Sequence, residues 1–316
     1  MCKSAQRYVF FAETVVERPA ITTFNAIMFI IKQPADLSAY LQRERRSGKK
    51  CGFVPTMGAL HQGHLSLVSR AGEENELVVC SIFVNPAQFN DPKDFELYPK
   101  TLEKDIYLLE KAACDVLFLP GTEQIYPPGK PHNEWYDLGE LELVLEGKYR
   151  PGHFQGVCRV MRRLIDIVDP GTLYIGQKDY QQCMVIKKLL SLIHSDTRVV
   201  ICSTLREPNG LAMSSRNMRL SAEEKEKAAG IFEALSYIAK NIQPGALTAI
   251  LTQATGILSR HELRADYVAI AAAGDLRLIN NWNGQTEAVA LIAAYMGEVR
   301  LIDNMLLPLN FAGYGN

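Results

Sequence analysis

From Met28 onward, short apolar runs and amphipathic stretches take turns along the chain. The runs at 28–31, 52–55, 77–84, 115–119, 172–175 and 198–202 have strand length and few polar interruptions. A strand buried on both faces reads that way. Between them, the stretches at 63–74, 101–113, 156–167 and 179–192 repeat apolar residues at helical spacing. Strands alternating with helices predict a parallel α/β sheet, whose ligands bind beyond the carboxyl ends of the strands.

The texture changes after residue 204. Two helical stretches at 222–240 and 246–260 precede strand-like runs at 267–271, 276–279, 288–295 and 299–302. Helices followed by consecutive strands predict a smaller α+β domain over 205–316, after a first domain over 28–204. Residues 1–27 lack a clear period and are read as an extension without a role in the working molecule. The segment from Pro120 to Arg150 carries Pro120, Gly121, Pro127, Pro128, Gly129 and Pro131. It is read as a long loop, either a plain surface loop or a lid.

Composition narrows the class. At about 150 residues per domain, 316 residues suit two domains with cores of their own. With 34 Lys+Arg against 35 Asp+Glu and a mean hydropathy of −0.04, the chain has no global field for a nucleic-acid backbone or an anionic membrane. Any anionic ligand must therefore be met by local groups. No apolar run reaches the ~18 residues of a membrane span, and the first 30 residues do not read as a secretory signal. The seven cysteines, at 2, 51, 80, 114, 158, 183 and 202, form no CxxC pair and sit mostly among apolar neighbours. They read as buried thiols in a reducing compartment, and the expected location is the cytoplasm.

Candidate chemistry lies where strands end. After 52–55 the chain runs Pro55-Thr56-Met57-Gly58-Ala59-Leu60-His61-Gln62-Gly63-His64. Two histidines three positions apart thus arrive with glycines where a strand gives way to a helix. Unpaired N–H groups at a helix start, together with two imidazole donors, suit a phosphate gaining charge. A helix cap is the plain alternative for one histidine, and zinc chelation a weaker one, since no HExxH motif or obvious third ligand accompanies the pair.

A second cluster, Arg206 to Asn217, contains Met213-Ser214-Ser215-Arg216, hydroxyls and a guanidinium suited to a triphosphate, or else an Asn-Gly turn followed by a cap. After the strand at 172–175 comes Gly176-Gln177-Lys178-Asp179, with Gln182 one helical turn further on. Its carboxylate suits ribose hydroxyls and its lysine a phosphate, or the group is a solvated helix start. Ser81-Ile82-Phe83-Val84-Asn85-Pro86-Ala87-Gln88-Phe89 brings an amide and aromatics to another strand end, suited to a small hydroxy acid with an apolar body, or to a plain Asn-Pro turn.

The histidine motif and the Met213 cluster resemble the HIGH and KMSKS signatures of the nucleotidyltransferase superfamily, although the lysines of the second are absent and Arg216 or another group must supply its charge. PTMGALHQGH, SIFVNPAQF, YPKTLEKD, RPGHFQGV, GQKDYQQ and GLAMSSRN, in this order, resemble the pantoate–β-alanine ligase family from Met28 almost to the end. The resemblance implies a Rossmann-like parallel sheet in the N-terminal domain. It also implies an ATP-dependent amide-forming reaction: pantoate attacks the α-phosphate of ATP, pyrophosphate leaves, and β-alanine then takes the pantoyl group from the adenylate.

By resemblance, Met57, Gly58, Ala59, Leu60, His61, Gln62, Gly63 and His64 line the ATP site, with His64 the proton donor and His61 beside it. Gly176, Gln177, Lys178 and Asp179 hold ribose and phosphate, the Leu205 backbone the adenine, and Met213, Ser214, Ser215 and Arg216 the triphosphate. Gln88 and Gln182 hold pantoate, with Gln88 also near β-alanine. Asp105 stands near Mg2+, through water, while Tyr98 screens the phosphate side and Arg150 and His153 have no defined role. A homodimer is expected, formed through the N-terminal domain, with no nucleic-acid or membrane partner. Two rivals are a related nucleotidyltransferase acting on a phosphorylated alcohol, which would need basic side chains where Gln88 and Gln182 stand, and a nucleotide sensor without turnover.

Overall fold

The computed structural model describes residues 27–90, 92–129 and 131–309. Apart from residue 27, the expected 1–27 extension lies outside them. In chain order they form β1 (Phe29–Ile31), α1 (Pro34–Arg46), β2 (Cys51–Thr56), α2 (Gln62–Glu74), β3 (Leu77–Ile82), α3 (Pro92–Glu96), α4 (Leu102–Lys111), β4 (Val116–Phe118) and α5 (Thr122–Ile125). Then follow α6 (Leu145–Tyr149), α7 (His153–Val168), β5 (Thr172–Gly176), α8 (Tyr180–Leu192) and β6 (Arg198–Cys202). The last stretch holds α9 (Ala222–Ala228), α10 (Gly230–Asn241), β7 (Gly245–Ala246), α11 (Thr248–Arg260), β8 (Arg264–Ala272), β9 (Asn281–Trp282), β10 (Ala288–Met296) and β11 (Val299–Leu306).

The chain divides into two compact units. The first comprises residues up to 136 together with 155–175 and 189–202; the second comprises 137–154, 176–188 and 203 onward. The sequence suggested one boundary near Leu205, whereas the second unit also takes in two earlier stretches.

In the first unit the strands lie in the order β1-β4-β3-β2-β5-β6, and β1–β4, β4–β3, β3–β2 and β2–β5 pair in parallel. The α/β sheet is thus as expected. Its central strands are apolar on both faces, with β3 buried throughout. Leu67, Val68 and Ala71 of α2 and Leu109 of α4 pack against Val54, Val78, Cys80 and Leu117 of the sheet. Consecutive crossovers run one way from β2 to β3 and β4, and the chain resumes on the other side of β2 with β5. This places the topological switch between β2 and β5, where a doubly wound sheet opens its ligand crevice. Helix α1 was not anticipated, although Leu37, Tyr40 and Leu41 bury one face of it and Pro34 opens it.

In the second unit β8, β10 and β11 form an antiparallel sheet in the order β11-β10-β8. Ile231, Leu235 and Ile238 of α10 and Ile257 and Leu258 of α11 share a core with Ile270, Ala290, Ile292 and Leu301 of that sheet. The expected strand at 276–279 is a single bridge, Leu278 to Ala271, because the backbone at Leu276 turns to φ 60°. The expected helix at 222–240 is divided into α9 and α10 at Ala229.

Candidate active site

The turn that leaves β2 is built for close approach of its backbone. Gly58 takes φ 82°, a conformation that favours glycine, and Ala59 follows at φ 50°. Thr56 Oγ1 donates to the Ser81 carbonyl at 2.7 Å and accepts the Gly58 N–H at 3.3 Å. The next two N–H groups go to one carboxylate: Ala59 N–H to Asp105 Oδ2 and Leu60 N–H to Asp105 Oδ1, both at 2.8 Å. Thr101 Oγ1 also donates to Oδ1, at 3.0 Å, and Asp105 is 1% exposed.

Asp105 thus has a structural task at this turn, besides the expected place near Mg2+ through water. Its oxygens serve the turn, and among the described residues no three His, Cys, Asp or Glu side chains gather where they could hold one metal ion.

Beyond the turn, His61 caps α2 and His64 occupies its first turn, which has no acidic residue. The His61 N–H donates to His64 Nδ1 at 3.4 Å, and the two rings stand 4.0 Å apart. A ring that accepts at Nδ1 carries its neutral-form proton on Nε2. His64 therefore presents an Nε2–H donor on a helix start whose dipole already favours an anion.

Gln88 is fixed by a network that sequence reasoning did not find. Asn85, 1% exposed, donates through Nδ2 to Gln88 Oε1 and to the Gly156 carbonyl, both at 3.1 Å. Asn85 Oδ1 accepts from Tyr126 Oη at 3.0 Å and from the Ala87 N–H at 3.3 Å. Gln88 Nε2 then lies 3.0 Å from Met57 Sδ, so the amide hydrogens point toward the β2 turn. Burial pushes the Tyr126 hydroxyl up to about 12, so it remains a donor at neutral pH. A Cβ at Gly156 would collide with the Ala87 carbonyl, so α7 approaches this loop as closely as glycine allows. Tyr98 is buried with its ring 5.8 Å from Phe89, a packing residue of this region.

The second unit holds the remaining expected residues. Gln177, Lys178 and Asp179 form one short turn after Gly176, with Lys178 Nζ 3.6 Å from Asp179 Oδ1. The two adjacent glutamines of α8 divide their tasks. Gln181 is 2% exposed, accepts the Glu146 N–H at 2.9 Å and donates to the Leu141 and Val144 carbonyls, whereas Gln182 stays half-buried.

Leu205 and Met213 close a small loop through the Met213 N–H on the Leu205 carbonyl at 3.0 Å, above a bridge between Arg206 and Ala212. Ser214 caps the following turn by accepting the Arg216 N–H at 3.3 Å. Ser215 is buried and Arg216 half-buried. Arg150 Nη1 donates to His153 Nε2 at 3.1 Å and stands 3.8 Å from Glu146 Oε2. That places the proton of neutral His153 on Nδ1.

A family model described as Pantoate-beta-alanine ligase matches residues 29–306. The pantothenate synthetase of Cytophaga hutchinsonii is 45% identical over 285 residues, 89% of this chain and 100% of the relative. That of Porphyromonas gingivalis is 42% identical, covering 88% and 99%. The crystal structure of pantothenate synthetase from Thermus thermophilus superposes with a TM-score of 0.82 at 41% identity, covering 89% of this chain and all of that one. The Francisella tularensis pantoate–β-alanine ligase, crystallised with β-γ ATP and β-alanine, gives 0.74 at 38% identity, covering 88% and 97%. The chain belongs to the pantoate–β-alanine ligase family.

Proposed function

We propose that the ATP-dependent condensation of pantoate with β-alanine runs in this chain through a bound pantoyl adenylate. A pantoate carboxylate oxygen attacks the α-phosphorus, and the bond to the β-phosphate oxygen breaks with release of pyrophosphate. The β-alanine amine then attacks the acyl carbonyl. The acyl–oxygen bond breaks, AMP leaves, and the amine proton is lost as the amide forms. The nucleophiles are substrate groups, so the chain supplies alignment and charge stabilisation.

The observation that carries this reading is the turn held by Asp105, followed by paired imidazoles at the start of α2. In this reading the α2 N-terminus, His61 and the His64 Nε2–H meet phosphate charge as it develops on the leaving pyrophosphate. Gln88, turned donor-first by Asn85, meets pantoate oxygens together with Gln182. Lys178 and Asp179 take the α-phosphate and ribose, the Leu205 backbone the adenine, and Met213, Ser214, Ser215 and Arg216 the triphosphate. Mg2+ would travel on ATP phosphate oxygens and water, since Asp105 is engaged by the turn.

A cytoplasmic homodimer remains part of this reading. Sedimentation measures that state directly.

The test of the site is pantoate-dependent exchange between ATP and pyrophosphate. His64→Ala should lose ~10²-fold or more, the scale for one preorganised donor. Exchange at the parent rate would remove His64 from the chemistry.

A further inference from the structure

Two consecutive residues of β11 reach two different loops of the second unit. Asn304, 2% exposed, donates both amide hydrogens, to the carbonyl oxygens of Gln177 and Lys178, at 2.8 Å each. Its own oxygen accepts from Gln177 Nε2 at 3.3 Å. Asp303, 4% exposed, takes the Arg206 guanidinium through both carboxylate oxygens. Arg206 in turn donates to the Gly210 carbonyl at 3.1 Å and lies 4.4 Å over the Phe232 ring. The Asn304 N–H donates to Asp303 Oδ1 at 2.8 Å, which braces the two side chains against each other.

Neighbours on a strand direct their side chains to opposite faces, so one dipeptide can serve two loops. Neither engagement is needed for the core of β11, whose apolar positions already pack with α10, α11 and β10. Buried amides and carboxylates with their hydrogen-bonding capacity used in this way hold one geometry and resist alternatives. The loops they hold are the Gly176–Asp179 turn and the base of the Leu205–Arg216 loop.

We infer that Asp303 and Asn304 are positioning residues for ATP: Asn304 sets the turn that meets ribose and α-phosphate, and Asp303, through Arg206, sets the loop that meets the triphosphate. The inference rests on the assignment of those two segments to ATP under the proposed function. It also makes the two residues separable, because AMP keeps the ribose and α-phosphate that the turn meets, but keeps only the adenine of what the loop meets and lacks the triphosphate tail. Positioning groups matter on the ångström scale, so a loosened loop loses affinity without loss of the fold.

The experiment is calorimetric titration of the full chain with AMP and with β,γ-methylene ATP, alongside thermal melting. Asn304→Ser should weaken both ligands about tenfold. Asp303→Asn should weaken the ATP analogue about tenfold and AMP, which meets that loop only through its adenine, by a clearly smaller factor. If either strand variant does not fold, Gln177→Met tests the Asn304 arm and Arg206→Lys the Asp303 arm from the loop side, with the same split expected. A folded Asp303→Asn or Arg206→Lys that loses AMP in the same proportion as the ATP analogue, or a folded Asn304→Ser or Gln177→Met that loses neither ligand, overturns the inference. Lys178→Ala and Arg216→Ala identify the source of a failure. If both bind the ATP analogue at parental affinity, the assignment of the two segments to ATP is wrong and the inference falls with it. If both are weakened while the positioning variants are not, the inference alone fails.

Discussion

Asp105 organises the β2 turn with one side chain. It neutralises two consecutive N–H groups at Ala59 and Leu60 while 1% exposed, which keeps a left-handed pair of residues in place. Asp105→Ala would leave both donors buried without that partner, at about 1–3 kcal/mol each. Urea unfolding should therefore show a loss of ~2–6 kcal/mol, and ATP–pyrophosphate exchange should fall with it. A variant as stable as the parent, with activity restored by raised Mg2+, would instead make Asp105 a metal ligand. The histidine pair was legible in the sequence because its two members are three positions apart on one helix start. Asp105 was legible only as a carboxylate in a motif, since its partners lie 46 and 45 positions away. Asn85 and Gln181 were passed over for the same reason: what each does depends on carbonyls and amides brought from distant segments.

At the scale of elements, continuous apolar runs taking turns with period-3.6 segments were enough to predict the parallel sheet and the helix that carries His64. The pattern failed where one backbone angle decides, as at Leu276, and where a helix opens on a proline, as in α1. Helix–loop distances are also invisible to periodicity. Gly156 in α7 reads as an ordinary helix residue, yet its missing side chain admits the Ala87 carbonyl, and its own carbonyl receives Asn85. Gly156→Ala sets a methyl against backbone that cannot rotate away. The expected cost is about 1–3 kcal/mol in stability, as for an overpacked site. Displacement of the Asn85–Gln88 pair should raise the KM for pantoate several-fold with a smaller change in the KM for ATP. Equal changes in both constants would detach Gln88 from pantoate.

At the scale of the molecule, a chain with a net charge of −1 concentrates its electrostatics locally. The clearest case is Glu146, which takes two bonds from Arg300 at 2.7 and 2.8 Å and one from Tyr267 at 2.9 Å, while Arg300 also donates to Asp266. Burial pushes the Glu146 carboxyl up, but the Arg300 hydrogen bonds and charge outweigh it and hold the group below its ordinary value of 4.5. A depressed carboxyl stabilises the fold above its unfolded value, and that contribution is lost as pH falls through the folded one. Glu146→Gln should therefore be less stable than the parent at pH 7, by ~3 kcal/mol for a broken buried pair. The gap should narrow as pH falls below 4.5, and a gap constant from pH 7 to 3 would contradict the ion pair's role. The most direct test of the account as a whole is the path of one oxygen atom. With pantoate labelled with 18O in its carboxylate, and with ATP and β-alanine, mass spectrometry of the products should find one labelled oxygen in AMP and none in pyrophosphate. AMP free of label, or label in a released phosphate with ADP as the other product, would contradict the adenylate route.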